Sequence, residues 1–512
     1  MAHSRRLNGP RKPEGFLIAS EERINSVLHR YVTNRDLLFA RLYLNENTRA
    51  GSGLGQTDGS DAIVDIDRFF LTLNPETRLQ AAGRLTDSVF CTQHTWPELP
   101  FLRSTLLNRE LSGTMQYPRY RDHSIHCLLA FLLGAFLFEH SRAFRVGAMD
   151  CMDRTAYERA LKEFELRGES EPDRLAAFQC VMQDLFVSVL FHDIGYIFEG
   201  AHDPRNPWRD SGELFKAASS VSDFYRRAWP EVFLGADLGM ASKLFDKIPP
   251  PSVSSTSISA AAESLRFFSR IQPDGSRRRV DAFEILAGSR PQTARWVSAM
   301  NALKFAYETL AWLGFPSKPP PSGCLLDHGI VSGLLLLQLA CYFYDLKELV
   351  EDAASTLIDG DVRVKLHETI SATVDGDMGI LNAESFGATA RRICGAAFHN
   401  IDPEWFDEWR EDSRLRGACP MSPFTLELEE HGILYLTCLL DGLQEWDRQK
   451  FPPDPIEPSL DGLEVACVTD PAKEMVTLSF TGSEKARQKG NQIVQALTKR
   501  LRGWDQLVRI EA

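Results

Sequence analysis

A mainly α protein is what this sequence predicts, and three observations predict it. Apolar residues recur at helical spacing through most of the 512 residues, alternating strand patterns are scarce before the C-terminus, and no repeat of fixed period divides the chain. The length allows one large domain with appendages or two to three domains. A hydrophobic share of 44% and a charged share of 25% are those of an ordinary globular protein. The longest uncharged apolar runs, Cys127 to Phe138 and Gly329 to Tyr344, fall short of a bilayer span and read as core helices.

No hydrophobic signal region opens the chain, and its ten cysteines are scattered without C-x-x-C spacing. Buried thiols in a reducing, cytoplasmic setting explain them better than a disulfide framework. A formal net charge of −13 argues against a grip on long nucleic acids, which needs clustered Lys and Arg. A small anion is still admissible where a metal supplies positive charge.

In chain order, residues 1–15 read as a disordered tail and 16–117 as an N-terminal helical region. Within that region 16–45 is helical, with Ile24, Val27, Leu28 and Tyr31 on its apolar face; 46–62 is loop by composition, and 64–72 and 76–91 are helical again. Residues 118–450 form the main domain, with insertions at about 200–323. Breaker-rich stretches at 246–259 and 314–323 bracket a helical insertion, and His202-Asp203, flanked by prolines, reads as surface loop. A Pro-rich linker at 451–461 leads to 462–512, a small ββα appendage. Its strands are read at Leu463 to Val468 and Met475 to Phe480, with a helix from about 483 to 503. It has no His, so chemistry is not placed there, but it offers a surface for a protein partner.

The residues that demand explanation are polar groups at the ends or on the inner faces of apolar helices. His192-Asp193 closes the segment Cys180 to Leu190, and burying such a pair without a strong partner is costly. A metal ion is the obvious partner, and Gly195 stands where a helix ends. Asp122 can cap a helix whose first turn carries His123 and His126 on one face. Asp327 and His328 repeat that design, His399 follows a small-residue helix, and Asp441 lies within the apolar run Ile433 to Trp446. A lone carboxylate there costs several kcal/mol unless protonated or paired.

Five such placements, with the strings Arg-Asp-His-Ser-Ile-His, His-Asp-Ile-Gly-Tyr, Asp-His-Gly-Ile-Val-Ser-Gly, Ala-Phe-His-Asn and Leu-Asp-Gly-Leu-Gln-Glu-Trp, resemble the HD-domain superfamily of metal-dependent phosphohydrolases. The resemblance covers roughly 118–448 and follows the order H…HD…H…H…D, as in a divergent large subgroup. It implies an HD-type helical bundle around a metal centre. Carried over position by position, it implies His126, His192, Asp193 and Asp441 as ligands of a first ion. Asp193 would bridge to a second ion held by His328 and His399. His126 is taken as the first ligand because the apolar run follows it; His123 then stands behind the ligands or faces substrate.

Imidazole with carboxylate suits Mn, Fe, Co, Ni or Zn better than Ca. Two such ions about 4 Å apart acidify a bridging water and clamp phosphoryl oxygens. Asp193, His123 and Arg121 are the catalytic candidates, Arg121 being either a bidentate phosphate contact or a surface cap residue. Tyr196 and Glu199, on the turn beyond, either face the site or are packed or solvated, the second reading being preferred. The reaction expected is hydrolysis of a nucleotide, cyclic nucleotide or other phosphate ester at a dinuclear site, without long nucleic acid or membrane as partner. The same ligand pattern also serves mixed-valent di-iron oxygenases of this fold, and a third reading is a non-catalytic metal-binding signalling or interaction protein.

Overall fold

The structure, a computed structural model, describes in the main residues 22–44, 59–86, 122–152, 172–199, 238–309, 327–352, 357–375, 386–419, 425–446 and 465–512. The proposed tail 1–15, Arg121, the loop 202–211, the stretch 314–323 and the linker 451–461 lie outside the described residues. The chain is mostly helical. The elements that frame the argument are, in order, β1 (Glu22–Arg23), α1 (Ile24–Thr33), α2 (His123–His140), α3 (Pro172–Leu190), β2 (Phe267–Ile271), β3 (Arg277–Asp281), α4 (His328–Glu351), α5 (Phe386–Phe398), α6 (Ile433–Leu443), β4 (Ala466–Asp470), β5 (Met475–Ser479), α7 (Glu484–Arg500) and β6 (Arg509–Glu511).

Helices α2, α4 and α6 are apolar nearly all round, which is the composition of helices enclosed by other helices. α3, α5 and α6 pack on one another, α4 packs on α5, and α2 packs on α3 and α6. Gly395 marks the three-helix contact: a Cβ there would lie 2.7 Å from Thr437 Oγ1 on α6 and 2.8 Å from Ser188 Cβ on α3. Only a residue without a side chain lets the backbones come that close. α2 and α4 are long and apolar enough to cross a membrane by length and composition, yet 89% and 94% of those stretches are buried within the protein. The eight described cysteines are free thiols, and seven are buried.

The strands depart from the sequence expectations in three places. The region expected to be helical from 16 to 45 starts, where described, with the two-residue strand β1, and helix begins only at Ile24. β1 pairs with β4, and Ile24 N donates to Val465 O at 2.9 Å. The C-terminal unit carries a third strand, β6, parallel to β5, so the sheet order is β1-β4-β5-β6 and its edges come from the two ends of the described chain. Strands of two and three residues are too short to show a period, so pattern reading passes over them.

The third departure is an antiparallel hairpin, β2 with β3, inside the expected helical insertion. Its turn carried a readable signal in Asp274-Gly275. Gly275 adopts φ 78°, and Asp274 Oδ1 accepts from Ser276 N at 2.8 Å.

The C-terminal unit is bound to the helical body. Ser141 Oγ donates to Leu507 O at 2.7 Å, and Tyr435 OH donates to Arg502 O at 2.9 Å. Arg502 N donates to Leu426 O at 2.9 Å, joining the end of α7 to the segment before α6.

Candidate metal centre

Five chain segments converge on one buried cluster. α2 brings His123 and His126 in its first turn. The turn after α3 brings His192 and Asp193, α4 starts with His328, His399 follows α5, and α6 supplies Asp441. All are buried except Asp441, which is partly open.

Local structure fixes these positions. Asp327 caps α4 by accepting from Ile330 N at 3.0 Å, and its other oxygen accepts from Asn400 Nδ2 at 2.8 Å. One carboxylate thus ties the start of α4 to the residue after His399. Asp122 stands at the N-cap position of α2, but its side chain makes no capping hydrogen bond, unlike the expectation for it. Gly195 donates its N–H to Ser332 Oγ at 2.7 Å, and Ser332 Oγ donates to His328 O at 2.8 Å. A Cβ on Gly195 would fall 1.9 Å from His328 O, so the His-Asp turn reaches α4 only because residue 195 is glycine.

The donor atoms form two groups around Asp193. In one, His126 Nε2 lies 2.8 Å and His192 Nε2 3.5 Å from Asp441 Oδ1. In the other, His328 and His399 direct Nε2 at Asp193 Oδ1 from 3.4 and 3.6 Å. His192 Nε2 is 3.4 Å from that same Asp193 oxygen and so belongs beside both groups. His126, His192 and Asp441 are close enough to hold one metal ion, as are Asp193, His328 and His399. Cys127, His192 and Asp193 form a third combination, with Cys127 Sγ 3.7 Å from His192 Nδ1.

The far ring nitrogens show which way these imidazoles are presented. His192 Nδ1–H donates to Val189 O at 2.5 Å, and His399 Nδ1–H donates to Ala396 O at 2.9 Å. His126 Nδ1–H donates to Gln444 Oε1. A proton held at Nδ1 leaves a lone pair on Nε2, the form that binds metal. A lone pair facing a carboxylate oxygen is repulsive unless positive charge lies between them. His192 Nε2, buried and without a hydrogen bond, is the clearest instance.

Electrostatics agree. Burial pushes the Asp193 carboxyl up, but the His192 and His123 imidazoles outweigh it and hold the group well below the usual carboxylate range. Burial likewise opposes ionisation of Asp441, and the His126 and His192 imidazoles beside it pull it well below that range. For His192 burial favours the neutral ring, yet the adjacent Asp193 raises its pKa well above the ordinary value. His328, lowered to about 4 chiefly by burial, is neutral at physiological pH. The cluster therefore holds two ionised carboxylates that favour positive charge beside them. A divalent cation fits such a donor set.

His123 does not join either group. Its Nδ1 lies 2.9 Å from the other Asp193 oxygen, Oδ2, and its ring lies against Tyr196 with centroids 3.5 Å apart. Tyr196 in turn stacks on His328. Gln444 was passed over in the sequence, Cys127 was read only as a buried thiol, and Tyr196 was read as packed or solvated more readily than as facing the site. Gln444 follows Asp441 by three positions and so shares its helix face, a spacing that was open to notice.

The chain was compared with family models, curated proteins and solved structures, and nothing matched in any of the three comparisons.

Proposed function

We propose that this chain is an HD-type phosphohydrolase that cleaves a small phosphate ester, such as a nucleotide or cyclic nucleotide, at a dinuclear metal centre. The observation that carries the reading is Asp193 Oδ1, which lies 3.4 Å from Nε2 of both His192 and His328 and 3.6 Å from that of His399. A carboxylate next to both imidazole sets could bridge two ions. His126, His192 and Asp441 would hold one ion, His328 and His399 the other, and Asp193 both. Manganese, iron, cobalt, nickel and zinc suit these ligands.

Such ions supply an acidified water and a counter-charge for phosphoryl oxygens. The residues of the chain do the rest. Gln444, Val189 O and Ala396 O hold protons on the far nitrogens of His126, His192 and His399, which keeps their Nε2 atoms free to ligate. His123 holds Asp193 Oδ2, fixing the carboxylate so that Oδ1 points into the cluster. Partial exposure of Asp441 leaves an approach for substrate on that side.

Metal analysis of the purified protein, followed by a phosphoester screen with Mn, Fe, Co and Ni, tests this. About two equivalents of metal and hydrolysis of at least one ester are expected, with metal content falling in Asp193→Ala. An oxygen-reactive, coloured iron protein without phosphatase activity would overturn the hydrolase reading in favour of an oxygenase. Unchanged metal content in Asp193→Ala would remove the dinuclear centre altogether.

A further inference from the structure

Just past the end of α6, one amide decides where the His126 ring carries its proton. Gln444 is the C-cap of α6, Trp446 follows two residues later, and both side chains are buried. Gln444 Nε2 donates to Trp446 O at 2.8 Å, and its Oε1 accepts from His126 Nδ1. A carbonyl only accepts, so the Trp446 main chain requires the NH2 end of the amide on its side. The oxygen end then faces His126, which carries its proton on Nδ1 and keeps a lone pair on Nε2. Turning the amide over would set two oxygens against each other at Trp446.

The Trp446 carbonyl is placed from outside α6. Gln444 N still donates to Leu440 O at 3.1 Å, but Gln444 has ψ 76° and the chain leaves the helix there. Beyond that point the intrahelical ladder no longer holds the backbone. The indole supplies the hold: Trp446 Nε1–H donates to Asn25 Oδ1 at 3.0 Å, and Asn25 is the second residue of α1. α1 is itself anchored on two sides. Ile24 N donates to Val465 O at 2.9 Å, and Tyr31 OH donates to Ala135 O at 3.0 Å on α2, the helix that carries His126. Between Gln444 and Trp446, Glu445 pairs with Lys489 of α7 at 2.8 Å.

Without that hold the His126 proton has a competing place. Nε2 lies 2.8 Å from Asp441 Oδ1, and a ring protonated at Nε2 would donate to that carboxylate instead of ligating. The Gln444 amide favours the ligating form of the ring. The other donor group takes its support elsewhere: Ala396 O accepts from His399 Nδ1 at 2.9 Å, and the Tyr196 ring lies on His328. Loss of the Trp446 contact is therefore felt on one side of the cluster only.

We propose that Asn25 and Trp446 are positioning residues of the metal centre. α1 holds the Trp446 main chain through the indole, and that main chain keeps His126 in its ligating form through the Gln444 amide. The assignment rests on the reading of His126 as a ligand of the first ion. It has a signature that loosened packing lacks, because one ion is weakened and the other is not.

Two measurements on the full chain test it. In chelator-treated protein with 15N-labelled histidine, NMR follows solvent exchange of the His126 Nδ1–H, assigned by its absence in His126→Gln. Exchange is expected to be roughly tenfold faster or more in Asn25→Leu and in Trp446→Phe. Asn25→Asp, which still offers the indole an oxygen, should exchange as wild type does. Cobalt titration followed by absorption is the second measurement. One of two ions should bind about tenfold more weakly in Asn25→Leu and Trp446→Phe, with the other unchanged. His29→Gln, on α1 but paired with Asp67, should alter neither readout. Circular dichroism establishes that each variant is folded, and if Trp446→Phe is not, the two Asn25 variants still decide. A wild-type Nδ1 without a proton, wild-type exchange in Asn25→Leu, equal weakening of both ions, or the same loss in His29→Gln would overturn the proposal. A wild type that takes up no cobalt would remove the dinuclear reading, and the exchange rates would still decide the role of Asn25 and Trp446.

Discussion

Tyr196 lies flat on His328, with ring centroids 3.9 Å apart and planes inclined by only 17°. His328 is the first residue of α4 and Tyr196 follows the His192-Asp193 turn, so the stack presses two metal-cluster segments together. The opposite side of the contact is completed by His123, whose ring centroid is 3.5 Å from that of Tyr196. The tyrosine therefore sets ring orientation at two histidines.

Tyr196→Phe keeps the stacked ring and should keep metal content. Tyr196→Leu removes it, and loss of an orienting partner commonly weakens metal binding by about 10- to 100-fold. Competition with a calibrated chelator measures this, and equal affinity in both variants would show that the stack does not orient His328.

Gly195→Ala is the sharper test of the same junction. A Cβ there would stand 1.9 Å from His328 O and 2.8 Å from Ser332 N, both backbone atoms that cannot rotate aside. The turn or α4 must shift, so a loss on the order of 1–3 kcal/mol is expected. A chemical denaturation midpoint near wild type, with metal affinity intact, would contradict this account.

The body of the fold was legible because α2 and α4 are long, apolar runs that only helices bury comfortably. The cluster residues were visible individually for the related reason that His192 and Asp441 sit where apolar neighbours make a polar group conspicuous. Their meeting was not visible in spacing, since 441 and 126 are 315 positions apart and only packing brings them to 2.8 Å. The supports were harder still. Tyr196 looks like an ordinary packing residue until α4 is placed beside it. Strands as short as β1 and β6 depend on partners distant in sequence and carry no local pattern of their own.

His431 gives a pH dependence away from the metal cluster. It is buried, and burial, then Arg290, lower its pKa from 6.5 to about 4. Glu427 N donates to its Nδ1 at 2.9 Å, a contact that needs that nitrogen unprotonated. The unfolded chain takes up the proton first as pH falls below 6.5, so the neutral ring favours the fold above that pH and stability declines down to about 4. By pH 5 the loss from this one group should be roughly 2 kcal/mol. Urea midpoints at pH 7 and pH 5 should differ less in His431→Gln, whose amide does not titrate, and an identical difference would refute the assignment.

The last prediction concerns Arg500, which extends from α7 of the C-terminal unit to the helical body. Its Nη2 donates to the carbonyl of His399 and lies 3.5 Å from Cys438 Sγ. That carbonyl follows α5, where helical acceptors lack intrahelical donors, and it belongs to a residue of the metal cluster. Arg500→Gln shortens the donor and leaves the buried carbonyl only the weak Cys438 thiol donor at 3.6 Å, at a cost of about 1–3 kcal/mol. If Arg500 only fastens α7 to the body, thermal stability falls and metal affinity holds. If it also fixes the backbone at His399, metal affinity falls as well, and further than in Arg487→Gln, a change on the exposed face of α7. The geometry favours the second outcome, because the bond ends on the His399 main chain and Ala396 O, three residues earlier, holds the ring of the same histidine at 2.9 Å.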